Sequence, residues 1–525
     1  GMSFIVNNIG ANESQGTITL RSQNTIPNGL GNASGLNIGS GNTTINSNLV
    51  VETSADYLTD GIQVGGNGTL TINGSVKMRK DDADNPWGVV TNNVHGNYGP
   101  GGYVTNDALE YTGARWQPTV VNGDVDIAVR GTAVITNTYN GAGDVTPDEL
   151  SSISLLGDHT KIITPFQEEA FVEGFGKFIE PYYSLASYGG TVNVNVKDQV
   201  AQNGKVEIVG NVISMKRSSG TYTPDVYQDG RINIGLTTGD SYWKGLIDNA
   251  NLAQTSPTEK DSYNHPKYDP AVTPVDADHS GEVNLWLQNG AQWIYENASR
   301  KDGLDYKHMP EYSQSSYGSY DGMSHLSRLV GGKDSASAGI IRVKDNDPIQ
   351  IAEAEGVTKV WYEHADATPG TIIGGDVKVL TAKNGTEMML YTGNNGITKG
   401  LAEGDAAVDK NNVSEVLNSL AHKLWYMAGD SNLKGSVSIA EGLTASSATM
   451  KTGNITFAEG GQGFYAYTPA TDDKPYETGP IVKSENIDET RVGDVNGIVS
   501  INVTEAQDSV ADSAPSAMYV AGDAV

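Results

Sequence analysis

The sequence predicts an all-β chain: a right-handed parallel β-helix, or β-solenoid, with loop insertions and one short helical insertion. Three observations predict it. Gly accounts for 63 of 525 residues while aromatics reach only 7% and charged residues 18%, a composition of many turns and few helices. Apolar residues alternate with polar ones in short runs, most of them three to five residues long, and nearly every run has Gly or Asn at its border. The runs recur along the whole chain without a block boundary, and strands so short bury a face only by stacking on similar neighbours.

The grammar is clearest in the stretch 61–79, where apolar residues stand at Ile62, Val64, Leu70, Ile72, Val76 and Met78. It returns at Val125-Asp-Ile-Ala-Val129, Val192-Asn-Val-Asn-Val196, Val206-Glu-Ile208, Ile232-Asn-Ile234, Val283-Asn-Leu-Trp-Leu287, Val377-Lys-Val379, Val437-Ser-Ile439 and Val499-Ser-Ile-Asn-Val503. In a coil, alternate side chains of each strand enter a narrow core, and Gly and Asn take the tight corners. Antiparallel hairpins joined by Asn-Gly turns, packed as a sandwich or barrel, are the alternative architecture.

Six segments break the grammar and are read as insertions of one elongated domain, 1–525: 81–117, 160–188, 256–280, 301–321, 411–426 and 468–490. The segment 411–426 is expected to be the helical one. Asn412-Val-Ser-Glu415 has capping-box spacing, and Val413, Val416, Leu417, Leu420 and Leu424 would share one face. The segment 160–188 holds Phe166, Phe171, Phe175 and Phe178, four of the seven Phe residues, followed by Tyr182 and Tyr183. It reads either as an element packing its rings on the coil or as an apolar patch that meets a partner.

Two segments resemble a known family, the passenger domains of bacterial autotransporters, the pertactin-like type V secreted proteins. Val283-Asn-Leu-Trp-Leu-Gln-Asn-Gly-Ala-Gln-Trp293 is similar to the recurrent pattern of a core strand ending in Leu, then Asn-Gly-Ala, one residue, and Trp. The stretch 435–457 is similar to segments of large autotransporter adhesins. In the first, Leu287 should point inward, Asn289 and Gly290 turn the corner, and Trp293 cover the next strand. The resemblance implies a right-handed parallel β-helix, export through an outer-membrane barrel of a diderm bacterium, and display at the cell surface. No signal peptide and no translocator barrel is read within the 525 residues, so the sequence is expected to be the passenger part of a longer gene product.

The charge balance narrows the partners. With 34 basic and 63 acidic side chains, the formal charge of −29 repels nucleic-acid phosphates and anionic headgroups. No apolar run is long enough to span a bilayer, so membrane insertion of this segment is not expected. The absence of Cys removes disulfides, thiolate metal sites and thiol nucleophiles, and it suits a chain that crosses two membranes unfolded.

Catalysis is not expected. Gly239-Asp-Ser-Tyr242 and Gly429-Asp-Ser-Asn432 lack the Gly-Asp-Ser-Gly context of a serine protease and fall where turns belong. The pairs Asp81-Asp82 and Asp472-Asp473 lie in loops without the basic strings that accompany polysaccharide cleavage. Asp276-Ala-Asp-His-Ser-Gly-Glu282 is half a calcium loop, with Asp276, Asp278 and Ser280 as oxygen ligands and Gly at position six, but Leu287 stands where the bidentate Glu belongs. An Asx-rich turn is the other reading. Apart from a structural calcium there, no cofactor is expected.

The function expected is a non-catalytic adhesin that binds a host or bacterial surface glycan or protein through loops and flanks of the coil. Trp87, Tyr98, Tyr103 and Trp116 are the candidate stacking residues, with Phe171 and Phe175 as a second patch. Self-association through Asn and Thr ladders, as in aggregating autotransporters, and a secreted carbohydrate-active enzyme are the alternatives.

Overall fold

The computed structural model describes residues 3–7, 16–24, 32–55, 58–78, 109–113, 118–129, 132–136, 151–164, 167–172, 176–181, 183–187, 189–214, 216–218, 227–248, 255–260, 266–268, 281–298, 313–314, 323–364, 372–383, 385–391, 424–426, 433–440 and 498–505. Every regular element among them is a strand. The chain forms two compact units, Gly1–Asn284 with Asn297–Asp321, and Leu285–Glu296 with Gly322–Val525.

In the first unit the strands build three parallel ladders, and the chain visits them in the same cyclic order from Ser3 onward. The first ladder takes the leading halves of Asn32–Asn46 and Leu58–Ile72, then Leu109–Gly113, Val134–Thr136, Tyr183–Ser187, Asn211–Ser214 and Ile247–Asp248. The second takes Ser3–Asn7, the trailing halves of the same two long strands, then Pro118–Val121, Ser152–Leu155, Gly190–Val194 and the latter part of Tyr227–Leu236. The third takes Thr17–Asn24, Asn48–Ala55, Val76–Met78, Val125–Ala128, His159–Ile163, Lys205–Val209 and Tyr242–Lys244.

Each ladder sends one column of apolar side chains inward. Ile72, Val121, Leu155, Val194 and Ile234 lie in register in the second ladder and are all 0% exposed. Met78, Ile127, Ile162, Ile208 and Trp243 lie in register in the third, between 0% and 1% exposed. All six apolar positions anticipated between 61 and 79 are buried. Each such side chain contributes roughly 1.5–3 kcal/mol relative to exposure, which is how strands of three to five residues are held.

The corner between the second and third ladders is short because glycine fills it. A Cβ on Gly74 would stand 2.1 Å from the Ser47 carbonyl oxygen, one on Gly123 2.1 Å from that of Gly74, and one on Gly157 2.2 Å from that of Gly123. The backbone of each rung therefore rests on the corner below.

The second unit alternates between two parallel ladders: Ser324–Val330, Ile349–Glu355, Val377–Ala382 and Leu424–Tyr426 in one, Gln292–Tyr295, Gly339–Val343, Val357–His364 and Glu387–Tyr391 in the other. Glu387–Tyr391 also pairs antiparallel with Ile498–Glu505, which pairs antiparallel with Leu433–Ala440. At the Asn-Gly corner, Asn289 and Gly290 take positive φ of 56° and 81°, as the motif requires, and Leu287 is 0% exposed. Trp293 belongs to the following strand rather than covering it: it is fully buried, in register with Ile341, its ring edge-on to Tyr295 at 5.4 Å.

On the outer side of this unit Glu355 accepts from Arg328 and Lys383, each at 2.6 Å. Burial alone would raise the Glu355 carboxyl, but the bonds from Lys383 and Arg328 outweigh it and hold it below its ordinary value. A depressed carboxyl stabilises the fold above its unfolded pKa and ceases to do so as pH falls through the folded value. Glu355→Gln is expected to lower the stability of this unit by about 1 kcal/mol near neutrality. The deficit against the parent should close as urea unfolding is repeated at pH values below about 4.3.

The antiparallel sandwich is not what the ladders form; among the described residues antiparallel pairing occurs in added hairpins, in the 387–391, 433–440 and 498–505 strands, and at two isolated bridges, Gln288 with Ala338 and Gly332 with Val357. The expected helix at 411–426 is corrected at its described end, since Leu424–Tyr426 is a strand in register with Val377–Val379. Residues 411–423 and 468–490 lie outside the described residues.

Strands of the ladders also fall within the expected insertions. Within 81–117, Leu109–Gly113 is a rung of the first ladder. Within 160–188, His159–Ile163 and Tyr183–Ser187 are rungs, and only the stretch between them departs from the ladders. That stretch is an antiparallel hairpin, Gln167–Val172 with Gly176–Pro181. Thr255–Lys260 and Pro266–Tyr268 form another, which begins one residue before 256–280.

Candidate functional site

Where the chain leaves the ladders of the first unit is not random. From the third ladder to the first it departs at Met78 and returns at Leu109, and departs at Ile163 and returns at Tyr183. From the first ladder to the second it departs at Thr136 and returns at Ser152, departs at Ser214 and returns to the ladder within Tyr227–Leu236, and departs at Asp248 and returns at Glu282. Each of these five excursions thus departs from or returns to the first ladder. Among the described residues, the corner between the second and third ladders carries short turns and one hairpin, Val196–Lys197 with Val200–Ala201.

One of these excursions meets a further stretch outside the ladders. Gly176–Pro181 pairs on its free edge with Ser313–Gln314 in parallel, Phe178 opposite Ser313 and Ile179 opposite Gln314. Two separately predicted insertions, 160–188 and 301–321, therefore join in a three-stranded sheet. Phe171 sits on it, opposite Lys177.

Over its last four rungs, from Val134–Thr136 to Ile247–Asp248, the first ladder is closed to solvent on both faces. Val134, Leu185, Val212 and Ile247 form one column, and the adjacent column, pointing to the opposite side by the pleat, is Ile135, Ala186, Ile213 and Asp248, between 0% and 6% exposed. The Tyr183 hydroxyl donates to the Asp248 carboxylate at 2.7 Å. At the ladder's edge, buried Asn211 accepts through Oδ1 from the amides of Leu246 and Ala298 and donates through Nδ2 to Asn297 at 2.9 Å. A satisfied amide at the root of the 299–323 excursion fixes where it starts.

The outer faces of the other two ladders differ in chemistry. On the third, Lys77, Asp126, Lys161 and Glu207 stand in register, so that the sign alternates from rung to rung. His159 lies 2.6 Å from Glu207, and Lys205 bridges toward Asp240 at 3.6 Å. On the second, Thr44, Thr71, Val120 and Ser154 form one half-buried column. At its border Asn73 donates to Asn46 at 2.7 Å and Asn122 donates to Asn73 at 2.8 Å. Further along, Asn193 donates to Ser154, Asn233 to Asn193 and Asn284 to Asn233, at 3.0, 2.8 and 2.9 Å. A hydrogen-bonded amide ladder runs up the face.

Ser241, in the Gly-Asp-Ser string, is 1% exposed; its Oγ accepts from the Val206 amide at 2.9 Å and lies 2.6 Å from the Thr238 hydroxyl. Its role is to close a corner. Ser431 lies outside the described residues, as do Trp87, Tyr98, Tyr103, Trp116, Phe175 and the proposed calcium ligands Asp276, Asp278 and Ser280. Among the described residues no group of three or more His, Asp or Glu side chains is placed to hold a metal. Asn and Thr ladders are anticipated only as a self-association surface, and neither the individual amides bonded here nor Asn195 is singled out from the sequence; the Asn-x-Asn alternation of 193–195 is their signal.

The described residues define a class, strand-only proteins built of long parallel ladders. No family model, curated protein or solved structure matches the chain.

Proposed function

We propose that this chain is a non-catalytic adhesin: a right-handed parallel β-helix whose insertions, gathered along one side, bind a surface glycan or protein. One observation carries the reading. Five excursions of the first unit depart from or return to the first ladder, and the hairpin in one of them pairs with Ser313–Gln314. Loops concentrated on one side of a regular scaffold are the usual way a repeat protein carries recognition. Parallel strands visited in constant cyclic order support closure of the three ladders into a coil, and right-handed crossover is the general rule for parallel connections.

On this reading the recognition residues are Trp87, Tyr98, Tyr103 and Trp116, with Phe171 and Phe175 as a second group. The protein is displayed outside a diderm bacterium after export through an outer-membrane barrel. The charge of −29 keeps nucleic acid from this surface.

Replacing 79–108 with a short Gly-Ser linker is expected to abolish retention on the matrix-protein or glycan surface that the parent binds. The far-UV spectrum and protease resistance of the ladders should stay unchanged, because Met78 and Leu109 remain in their rungs. A parent that binds nothing on such an array, or a loop-replaced chain that binds as well as the parent, refutes the assignment.

A further inference from the structure

We propose a second binding surface, distinct from the insertion flank: the outer face of the second ladder binds a neutral, linear polysaccharide laid across successive rungs. Over the four rungs from Asn42–Asn46 to Ser152–Leu156, every outward position is uncharged and at least partly exposed. That is unexpected on a chain with 63 acidic and 34 basic side chains, whose neighbouring third ladder presents a charge on every rung from Lys77 to Glu207. The face begins to carry charge only at the Arg231–Glu282 pair, where Asn233 and Asn284 are already buried.

The chemistry selects the occupant by charge. A polyanion finds no cation on these rungs and meets the field of the whole chain. A cationic segment finds no carboxylate. A polyhydroxyl chain finds hydroxyls at Thr71 and Ser154, apolar contact at Val120, and the amides of Asn73 and Asn122. Each amide has two N–H groups and two carbonyl lone pairs, and the bonds between rungs engage only one of each per neighbour. Rungs recur at about 4.8 Å, which gives a repeating ligand a repeating set of contacts.

The test uses the full chain and titrates neutral linear oligosaccharides of increasing length, cello- and xylo-oligomers, by calorimetry, with heparin and alginate as charged controls. Affinity is expected to rise with length until the oligomer spans the four rungs, while the polyanions give no heat. Thr71→Glu and Val120→Glu, both on the outer face, should each weaken binding at least tenfold. Lys161→Ala on the third ladder should leave it intact, and so should the 79–108 replacement, which separates this surface from the insertion flank. Absence of binding to either neutral series overturns the proposal, as does equal binding by the two Glu variants. If those variants instead change the sedimentation coefficient of the chain without affecting any sugar, the face is occupied by a second copy and the polysaccharide assignment is wrong.

Discussion

Asn195→Ala is expected to be among the most damaging single substitutions in the first unit, lowering its stability by about 3–5 kcal/mol. Asn195 is 1% exposed and takes a positive φ of 56°, a region Asn tolerates better than most residues. Its Nδ2 donates to the carbonyls of Gln202, Gly204 and Gly235 at 3.0, 3.2 and 3.0 Å, and its Oδ1 accepts from the Gly204 amide at 2.9 Å. One amide thus closes the base of the 196–201 hairpin and ties it to the next rung. Alanine removes the side-chain partner of the Gly204 amide and of the carbonyls of Gly204 and Gly235, while Gln202 keeps the Thr237 hydroxyl. Asn195→Asp retains the shape but turns a carboxylate toward the same carbonyls, so it should be at least as harmful. If the defect were only one of volume, Asp would rescue; urea unfolding of the two variants side by side distinguishes these outcomes.

Gly123→Ala is the second large effect, expected to cost about 3 kcal/mol through overpacking. The added methyl would be 2.1 Å from the Gly74 carbonyl oxygen and 2.6 Å from the Ser75 nitrogen, both backbone atoms of the rung below, and backbone cannot rotate aside. The rung would have to lift, loosening the Asn122–Asn73 bond beside it. Gly39→Ala is the control, because nothing lies within 4 Å of the position its Cβ would take. Limited proteolysis should show new cleavage around residues 72–76 and 121–125 in Gly123→Ala and the parent pattern in Gly39→Ala. Equal resistance of the two variants would mean that the corner is looser than its geometry requires.

The core was legible in the sequence because it is local. Alternation with period two marks Ile62, Val64, Leu70, Ile72, Val76 and Met78 directly, and Asn289-Gly290 announces its own corner. The boundaries of the insertions were not, because membership of a ladder is decided by partners far along the chain. Leu109–Gly113 reads as part of a Gly-rich loop until Val134–Thr136 and Leu58–Ile72 are placed on either side of it. Leu424–Tyr426 suits a helical face as well as a strand, and only its register with Val377–Val379 settles the matter.

The candidate site divides in the same way. That aromatic residues cluster at 166–183 is visible in composition, but that the hairpin holding Phe171 pairs with 313–314 depends on a contact between remote segments. The uncharged face of the second ladder is invisible residue by residue: Thr71, Val120 and Ser154 become one column only when the rungs are in register. Asn73 and Asn122, 49 residues apart, become bonded neighbours by the same step.

The absence of cysteine from the chain allows that register to be tested without background. In Asn73→Cys with Asn122→Cys, mild oxidation followed by digestion and mass spectrometry should give a single intramolecular disulfide, since neighbouring parallel rungs place Cα atoms within the reach of the bond. Asn73→Cys with Leu156→Cys, two rungs apart, should give none. Cross-linking of the second pair and not the first, or of neither, would contradict the parallel ladder on which the fold, the insertion flank and the neutral face all depend.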